Sequence, residues 1–422
     1  MNPAEWDWQT GKKTVADAGK WRNIFAHVDA LYVSPDGETL AAVVQTEDLL
    51  FSVCENGRIW ESRFDKISCL RFSPDNRAVA LVSKEGLWTV AASGNLWANT
   101  YEFVWNLHFS AAGKSVIVAA VYQGRYLAVS DGVPWSDGFF SLSHLTVSPD
   151  GRSVAAVVQT VPLAAGDLAA FQKGCYTAAV NGRPWDMNFL NVWEMRFSPD
   201  GRRLAAQVRS TLYDYTIAVD GQPWAVHFAS VWRPRFHPAD GSVTAPVRVA
   251  GLWTLARDGE IFWDKRFVQL WHHQYTPDGR HIAAIVAPKF GVWTVAVDGR
   301  PWALTFNELV TDLAISPDGN RVACVGKTDG RWHVAVDGKP WDGDYDMVWP
   351  PVFSPDSRHV AAKVEKNGRF TIVVDGRPLK FEFQKAWEPV FSPDSDKILV
   401  KGMDDVNGIY TRRVVALPEL SV

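Results

Sequence analysis

Three aspartates in one short stretch have the spacing of a metal-binding loop. Asp342, Asp344 and Asp346 (DGDYD) supply carboxylates at the first, third and fifth positions, as the opening of an EF-hand calcium loop does. Met347 stands at the sixth position, where that loop needs Gly, and Phe353 stands at the twelfth, where it needs a bidentate Glu. A polar loop is therefore the better interpretation.

The spacing of the histidines and cysteines does not indicate a metal site or a catalytic site. His272 and His273 are adjacent, and adjacent residues on a strand point to opposite faces, so they are poorly placed to share a metal. The sequence contains no Cys-x-x-Cys pair for an iron–sulfur cluster or haem c, and no Ser-His-Asp set or Gly-x-Ser-x-Gly elbow can be nominated by spacing. We therefore predict a protein that is not an enzyme, with no catalytic residue, no metal and no cofactor. The four cysteines are predicted to be buried free thiols: Cys54, Cys69, Cys175 and Cys324.

The dominant feature is a repeat. Ten times the chain returns to Ser-Pro-Asp-Gly or a near relative, in steps of 37 to 40 residues with one step of 50. Self-similarity at this period indicates a repeat architecture. The first residue of each turn is Ser34, Ser73, Ser110, Ser148, Ser198, His237, Thr276, Ser316, Ser354 and Ser392.

Each repeat contains four short strands. In one unit, residues 192–197, 203–208 and 215–219 have strand patterns, and the turns 198–201 and 220–224 separate them and lead to a fourth strand. Gly, Pro and Asp turns between such strands are typical of propeller blades. The sequence predicts an all-β fold, a single closed β-propeller of about ten four-stranded blades. None of the repeat intervals has the composition of a linker, so we predict one domain over residues 1–422 rather than two rings.

The two ends of the chain predict how the propeller closes. The chain stops soon after a third-strand motif at residues 408–411, so the last blade lacks an outer strand. The N-terminal segment from Trp21 is predicted to supply it, which removes an open sheet edge. Residues 13–16 also resemble a third strand, and the sequence leaves open which copy is used.

The 21 tryptophans fall into three registers of the repeat, and only Trp6 and Trp8 lie outside them. A large ring at a fixed register suits the wedge-shaped gaps between radially packed sheets, because one aromatic side chain buries about 150–250 Å². We predict a structural role for the set; stacking on bases or sugars is the alternative. Its representatives are Trp185, Trp193, Trp224, Trp232, Trp263, Trp271, Trp302, Trp341 and Trp349.

The first strand of each repeat is expected to line a central channel. Polar residues four and two positions before the first turn alternate with apolar ones, a period of two that is typical of a half-buried strand. Because the charges are mixed, a solvated lining is favoured over an anion pocket. The predicted lining residues are Arg71, His108, Glu194, Arg196, Arg233, Arg235 and His272.

One repeat contains an insertion. Residues 160–174 (TVPLAAGDLAAFQKG) join the second and third strands, and Asp167 is placed to cap a short helix from Leu168 to Phe171. Apolar residues on a projecting loop predict a docking site, although the loop folding back on its own blade is equally compatible. The predicted partner-binding residues are Val161, Pro162, Leu163, Leu168 and Phe171.

Composition favours an intracellular protein. The chain has 43 Lys and Arg against 47 Asp and Glu, a net charge of −4 that gives no electrostatic reason to expect nucleic acid. The N-terminus shows no signal-peptide pattern, and no 18-residue apolar run predicts a membrane span. A cytoplasmic location, peripheral on a membrane complex, is expected.

The repeats resemble those of WD40 and TolB-like propellers, with Ser198-Pro199-Asp200-Gly201-Arg202 as a close match. Asp-Gly-x-Pro-Trp replaces the Trp-Asp ending of WD40 blades. More narrowly, the tryptophan-rich propeller is similar to the TmcD family, the tryptophan-rich subunits of the Tmc transmembrane redox complex of sulfate-reducing bacteria. That resemblance implies a cofactor-free accessory subunit beside a cytochrome c, a membrane cytochrome b and an iron–sulfur subunit.

These observations lead to one preferred function and two alternatives. The preferred function is a non-catalytic scaffold that contacts other protein subunits, in a cytoplasm-facing part of a membrane-bound electron-transfer complex. The first alternative is a glycan-binding or small-molecule-binding propeller that uses exposed tryptophans. The second, a hydrolase gated by the propeller, would need a catalytic domain, and the repeats leave no room for one.

Overall fold

The structure is a computed structural model that describes residues 3–164, 166–404 and 408–417. Ten antiparallel sheets follow one another along the chain. Eight have four strands in sequence order; the last two have five, because their first strand is split in two, and the N-terminal strand completes the tenth. The predicted β-propeller of ten four-stranded blades, with its last blade closed by an N-terminal strand, is confirmed. The chain comprises two compact units: unit 1, residues 1–61 and 267–422, and unit 2, residues 62–266. One domain over residues 1–422 stays a prediction.

Unit 1 begins with a 3-10 helix (Pro3–Glu5), the strand β1 (Gly11–Asp17) and the helix α1 (Ala18–Ile24). The first blade follows directly. Blade 1 comprises β2 (His27–Val33), β3 (Leu40–Gln45), β4 (Phe51–Glu55) and β5 (Arg58–Ile59).

Unit 2 contains blades 2 to 6 and the helix α2 (Leu168–Gln172). Blade 2 comprises β6 (Lys66–Phe72), β7 (Ala78–Lys84), β8 (Leu87–Ala92) and β9 (Asn95–Leu96). Blade 3 comprises β10 (Phe103–Phe109), β11 (Val116–Tyr122), β12 (Arg125–Ser130) and β13 (Val133–Pro134). Blade 4 comprises β14 (Ser141–Val147), β15 (Val154–Gln159), β16 (Tyr176–Val180) and β17 (Arg183–Pro184). Blade 5 comprises β18 (Asn191–Phe197), β19 (Leu204–Arg209), β20 (Tyr215–Val219) and β21 (Gln222–Pro223), and blade 6 comprises β22 (Arg235–Phe236), β23 (Val243–Val249), β24 (Leu252–Arg257) and β25 (Glu260–Ile261).

Unit 1 continues with blades 7 to 10. Blade 7 comprises β26 (Gln269–Tyr275), β27 (Ile282–Lys289), β28 (Val292–Val297) and β29 (Arg300–Pro301). Blade 8 comprises β30 (Leu309–Ile315), β31 (Val322–Thr328), β32 (Arg331–Val336) and β33 (Lys339–Pro340). Blade 9 comprises β34 (Met347–Val348), β35 (Val352–Phe353), β36 (Val360–Lys366), β37 (Arg369–Val374) and β38 (Arg377–Pro378). Blade 10 comprises β39 (Lys385–Ala386), β40 (Val390–Phe391), β41 (Lys397–Met403), β42 (Ile409–Ala416) and the N-terminal β1.

Burial explains why the second and third strands of each blade are apolar on both faces. Every residue of β19 except the last is buried, and so is every residue of β20 except the first. Small Ala and β-branched Val side chains suit strands that pack against a neighbouring blade on each side. The core is therefore a series of thin layers between successive blades within each unit.

The first turn of each blade is built by its own side chains. Ser198 Oγ donates to Asp200 Oδ1 at 2.5 Å and accepts from Arg203 N at 3.0 Å. This arrangement recurs with little change in the other blades that carry Ser or Thr and Asp, for example at Ser316 and Asp318. The acidic residues of the first turns thus serve the turn, as an Asx-type residue does.

Closure differs in detail from the prediction. Blade 10 has the order β1, β42, β41, β39, so Tyr410 belongs to the third strand and residues 11–17 form the fourth. Trp21, from which the outer strand was expected to start, lies on α1 instead. Asp17 caps this helix by accepting from Lys20 N, and a strand cannot continue through such a cap.

The first strands are not the regular period-two strands that the sequence suggested. In six blades the residue four positions before the turn has a positive φ and the register shifts beside it, which defines a β-bulge. These residues are Cys69, Asn106, His144, Glu194, His272 and Asp312. In blades 6, 9 and 10 a proline follows at the next position (Pro234, Pro351, Pro389), and the first strand is shortened or split there because proline lacks an N–H donor.

Candidate functional site

The insertion in blade 4 forms an exposed loop with a capped helix, as the sequence predicted. Asp167 Oδ1 accepts from Ala170 N at 2.9 Å, and α2 follows. The base of the loop is fixed, since Thr160 N donates to Cys175 O at 3.0 Å and Thr160 Oγ1 donates to Asn188 Oδ1 at 2.9 Å. Leu168 is 70% exposed at the outer end of this loop.

The remaining predicted docking residues differ in exposure. Val161 and Pro162 are exposed, whereas Leu163 and Phe171 are half-buried. The loop therefore offers Leu168, Val161 and Pro162 to solvent, while Phe171 and Leu163 pack partly against protein. Their role in binding a partner stays a prediction.

Leu168 belongs to a larger set that the sequence reasoning missed. In every blade of unit 2, a large apolar side chain is exposed near the connection between the second and third strands. It lies either within this connection or at the strand residue next to it. We call this set the apolar row: Leu87, Tyr122, Leu168, Tyr213 and Leu252, which are 46%, 49%, 70%, 82% and 38% exposed. Aligning the repeats at this connection would have revealed it, because four of these residues stand at or beside the connecting turn and Leu168 lies in the insertion that replaces it.

The predicted channel residues of unit 2 come together on the first strands of blades 5 and 6. The Arg233 guanidinium bonds the Glu194 carboxylate through Nε. Burial, followed by the neighbouring charges of Arg196 and Arg233, lowers the pKa of Arg235 to about 10. The same factors, burial and the charge of Arg233, lower the pKa of Arg196. These three arginines with Glu194 are the arginine cluster.

The carboxylate in this cluster is held ionised. Burial opposes ionisation of Glu194, but the hydrogen bond and charge of Arg233, together with the charges of Arg196 and His144, keep its pKa below the usual range. The sequence reasoning favoured a balanced, solvated lining. In unit 2 the structure instead places Arg233 and Arg196 beside the Glu194 carboxylate and Arg235 beside these two arginines, so positive charge prevails there.

The other predicted lining residues lie apart from the cluster. Arg71 Nη1 donates to Leu107 O at 3.4 Å, and burial, reinforced by the charge of Arg71, lowers the pKa of His108. His272 is exposed in blade 7, where its charge acts on Asp312. Burial nevertheless raises the pKa of Asp312 above its usual value. That these residues line a channel stays a prediction.

A cavity of about 720 Å³ lies in unit 2 between blades 2 and 3. Tyr101, Tyr122 and Trp135 contribute aromatic rings to it, and Asn99 and Arg125 contribute polar groups. The rings of Tyr101 and Tyr122 meet edge to face, with centroids 6.3 Å apart. This size and mixture of groups match small-molecule sites.

Nearly all the tryptophan side chains are at least partly buried. Trp232, at 43% exposed, is the exception, and all the others are buried or half-buried. Trp224 and Trp263 are 8% and 5% exposed. Trp193 stacks on Tyr215 of its own blade, and Trp271 packs on Trp293 of its own blade with the two rings tilted by 42°. Half-buried positions are also found for the remaining predicted structural residues, Trp185, Trp302, Trp341 and Trp349.

Two of the three aspartates, Asp344 and Asp346, form ion pairs with basic residues. Asp344 Oδ2 bonds Arg331 Nε at 2.6 Å and its Oδ1 bonds Lys366 Nζ at 3.1 Å, while Asp346 bonds Arg331 Nη1. The hydrogen bond and charge of Arg331, followed by those of Lys366, lower the pKa of Asp344 to about 2. Among residues 3–164, 166–404 and 408–417, no three His, Cys, Asp or Glu side chains gather as a metal site would require.

The cysteine prediction is wrong at one position. Cys54, Cys175 and Cys324 are fully buried, but Cys69 is exposed, because it occupies the positive-φ position of the bulge in β6. As for membrane association, no helix in the described residues has the length and apolar character needed to cross a bilayer.

Comparison with known proteins gives neither a family nor a curated relative. No family model matches the chain, and no curated protein matches it. Among solved structures, a eukaryotic initiation factor is similar at 12% identity and a TM-score of 0.48, covering 84% of this chain and 95% of its own. The Dos1 propeller is similar at 13% identity and a TM-score of 0.34, covering 98% and 95%.

The β-propeller domain of Myceliophteria thermophila Cps50 (Swd1) is similar at 13% identity and a TM-score of 0.32, covering 65% of this chain and 98% of its own. With TM-scores below 0.5, these similarities carry no argument about function. The β-propeller fold follows from the ten repeats and their antiparallel sheets themselves.

Proposed function

We propose that this protein is a non-catalytic scaffold that holds partner proteins on the apolar row of unit 2. The observation that carries the proposal is the repetition of an exposed apolar side chain at the same connection in five consecutive blades. Exposed apolar side chains are ordinary when scattered, but a set that lies on one face marks a site of protein interaction.

Tight turns fix the backbone beside part of the apolar row, which suits a docking surface. Three of its turns are two-residue hairpins in which both central residues have positive φ, as in Glu85-Gly86 and Gln123-Gly124. Leu87 directly follows the first of these turns and Tyr122 directly precedes the second. Side chains held on such fixed turns lose little conformational entropy on binding.

The partners, in our proposal, are subunits of a membrane-bound electron-transfer complex on its cytoplasmic side. This part rests on the resemblance of a tryptophan-rich propeller to the TmcD family. It is tested by solubilising membranes from cells that naturally make the protein and following the tagged chain on native gels. Co-migration with haem absorbance supports this assignment, and migration without any haem-containing or iron–sulfur subunit contradicts it.

The scaffold role is tested with matched triple variants. Leu87→Gln, Leu168→Gln and Tyr213→Ser together remove three members of the apolar row, including its two most exposed. The control combines Leu96→Gln, Val133→Thr and Ile261→Gln, which change fourth-strand residues that are 46%, 69% and 45% exposed. The first variant should lose the partners that co-purify from native extract with the unaltered chain, and the control should keep them. Equal retention or equal loss would contradict the docking surface.

The alternative, binding of a glycan or another small molecule, is favoured by one observation, the aromatic-lined cavity of blades 2 and 3. A sugar stacked on Trp135 would shift its fluorescence. A panel of mono- and oligosaccharides should then change the tryptophan emission of the full chain and leave that of Trp135→Phe unchanged. Emission that no sugar alters would reject this alternative.

A further inference from the structure

Charge is distributed unevenly among the first strands of the two units. At the positions four and two residues before the first turn, unit 2 carries four arginines, Arg71, Arg196, Arg233 and Arg235, and one acid, Glu194. The formal charge at these positions is therefore +3 with His neutral. In unit 1 the same positions carry no Arg or Lys and two acids, Asp312 and Glu388. A repeat that needed these positions only for folding would give no reason for such a difference.

The arginine cluster is incompletely neutralised. The Glu194 carboxylate forms an ion pair with Arg233, whose side chain is 42% exposed. Among the described residues, no hydrogen bond or ion pair is formed by the guanidinium of Arg196 or of Arg235, and Nε of Arg196 is buried without a partner. Buried donors without acceptors and like charges held together both cost stability, so the cluster is costly without a ligand.

Guanidinium chemistry defines what would satisfy these donors. Each guanidinium is planar, stays charged and presents paired N–H groups that match the oxygens of phosphate or carboxylate. Three such groups with one carboxylate leave an excess of two positive charges. Because Arg196 and Arg235 are half-buried beside Arg233, their donors suit a small anion better than a flat bilayer surface.

We propose that the arginine cluster on the first strands of blades 5 and 6 is a binding site for a small soluble oxyanion of the phosphate class with two or more negative charges. Arg196 and Arg235 supply the unpaired donors, Arg233 adds a partly exposed guanidinium beside them, and Glu194 competes with the anion for Arg233. The site lies on first strands and not on the apolar row, so it is tested separately from the scaffold role.

The test is calorimetric titration of the full chain with inorganic pyrophosphate at constant ionic strength set by chloride. One pyrophosphate should bind per chain. Arg196→Gln and Arg235→Gln should each weaken binding by about tenfold or more, the size expected for a lost charged hydrogen bond. The control Arg202→Gln, at a side chain that is 86% exposed, should leave binding unchanged. Absence of binding, or equal weakening by the control, would overturn the site.

Two further measurements separate ligand binding from a structural role. Glu194→Gln should tighten pyrophosphate binding several-fold, about threefold or more, since it removes the competing carboxylate. Arg235→Gln should raise the melting temperature of the ligand-free chain, because it relieves repulsion, and this also shows that the variant folds. Weaker binding by Glu194→Gln would overturn the proposal, and sedimentation of the chain with phosphatidylglycerol vesicles would overturn its assignment to a soluble anion.

Discussion

The indole of Trp185 packs directly on Gly221 of the next blade. A Cβ atom on Gly221 would lie 3.1 Å from Cβ and Cγ of Trp185. The same relationship joins Trp135 to Gly182 and Trp302 to Gly338, so the Trp of one Asp-Gly-x-Pro-Trp segment covers the Gly of the following one. The Trp and the Gly of this motif therefore make contacts between neighbouring blades, so the motif stabilises the packing of one blade on the next.

Gly221→Ala should destabilise unit 2 by about 1–3 kcal/mol. Two causes combine, since the φ of Gly221 is +84° and the added methyl group would meet the Trp185 ring. Gly251 has the same φ of +84° but nothing lies within 4 Å of its Cβ position, so Gly251→Ala measures the backbone cost alone. Urea unfolding of the two variants gives the packing cost as their difference.

A double-mutant cycle checks this cause. In a Trp185→Ala background, Gly221→Ala should cost less than it does beside the intact indole, because Cγ and the rest of the ring are gone and only the contact with Cβ remains. If Gly221→Ala remained equally costly without the ring, packing of the indole would not be the reason for this glycine.

The closing blade is joined to blade 1 within unit 1 by a buried hydroxyl. Tyr410 is fully buried, and its Oη donates to Gly37 O at 2.9 Å. Tyr410→Phe leaves this carbonyl without its donor and should lower the free energy of unfolding by about 1–2 kcal/mol. Tyr213→Phe, at an 82% exposed side chain, should have no measurable effect. Equal effects on the denaturation midpoint would show that the hydrogen bond does not stabilise the closure.

The sequence was sufficient for features encoded within one repeat. The turn at Ser198, the helix cap at Asp167 and the missing strand of the last blade all follow from residues close to one another in the chain. Their physical cause is local hydrogen bonding and the number of strands available for one sheet, which a repeat alignment displays directly.

Features that join different repeats were not predictable in the same way. The Trp185–Gly221 contact and the Arg196–Arg235 proximity pair residues that are 36 and 39 positions apart, and only the packing of neighbouring blades brings them together. The bulge that exposes Cys69 was hidden for another reason. A positive φ at Cys or Glu has no sequence signal, because these residues are not the usual occupants of that conformation.

Cysteine labelling provides a test of the bulge. Cys69 is exposed and should react quickly with a thiol reagent in the native protein. Cys54 should stay unreactive, because it is fully buried and burial raises the pKa of its thiol to about 11, which lowers the thiolate fraction. Mass spectrometry of the native protein should show one fast site, which Cys69→Ser abolishes. Two or more fast sites would contradict the described burial.

Lys401 makes stability depend on pH in a defined window. Its side chain is 6% exposed, and burial lowers its pKa from 10.5 to about 8, partly offset by the charges of Glu388 and Asp36. Between these values the unfolded chain holds a proton that the folded chain lacks, so the free energy of unfolding rises with pH. The gain from this group is complete above the unfolded pKa and is lost as the pH falls through about 8.

Lys401→Met isolates this dependence. The free energy of unfolding of the unaltered protein, relative to that of the variant, should increase by at most about 1.4 kcal/mol per pH unit inside the window and stay constant below it. Urea unfolding of both proteins at about pH 7 and about pH 10 measures the difference. Lys380→Met removes an exposed lysine from the same unit and should show no such rise. A difference for Lys401→Met that does not change with pH would mean that this lysine keeps its proton in the folded protein throughout the window.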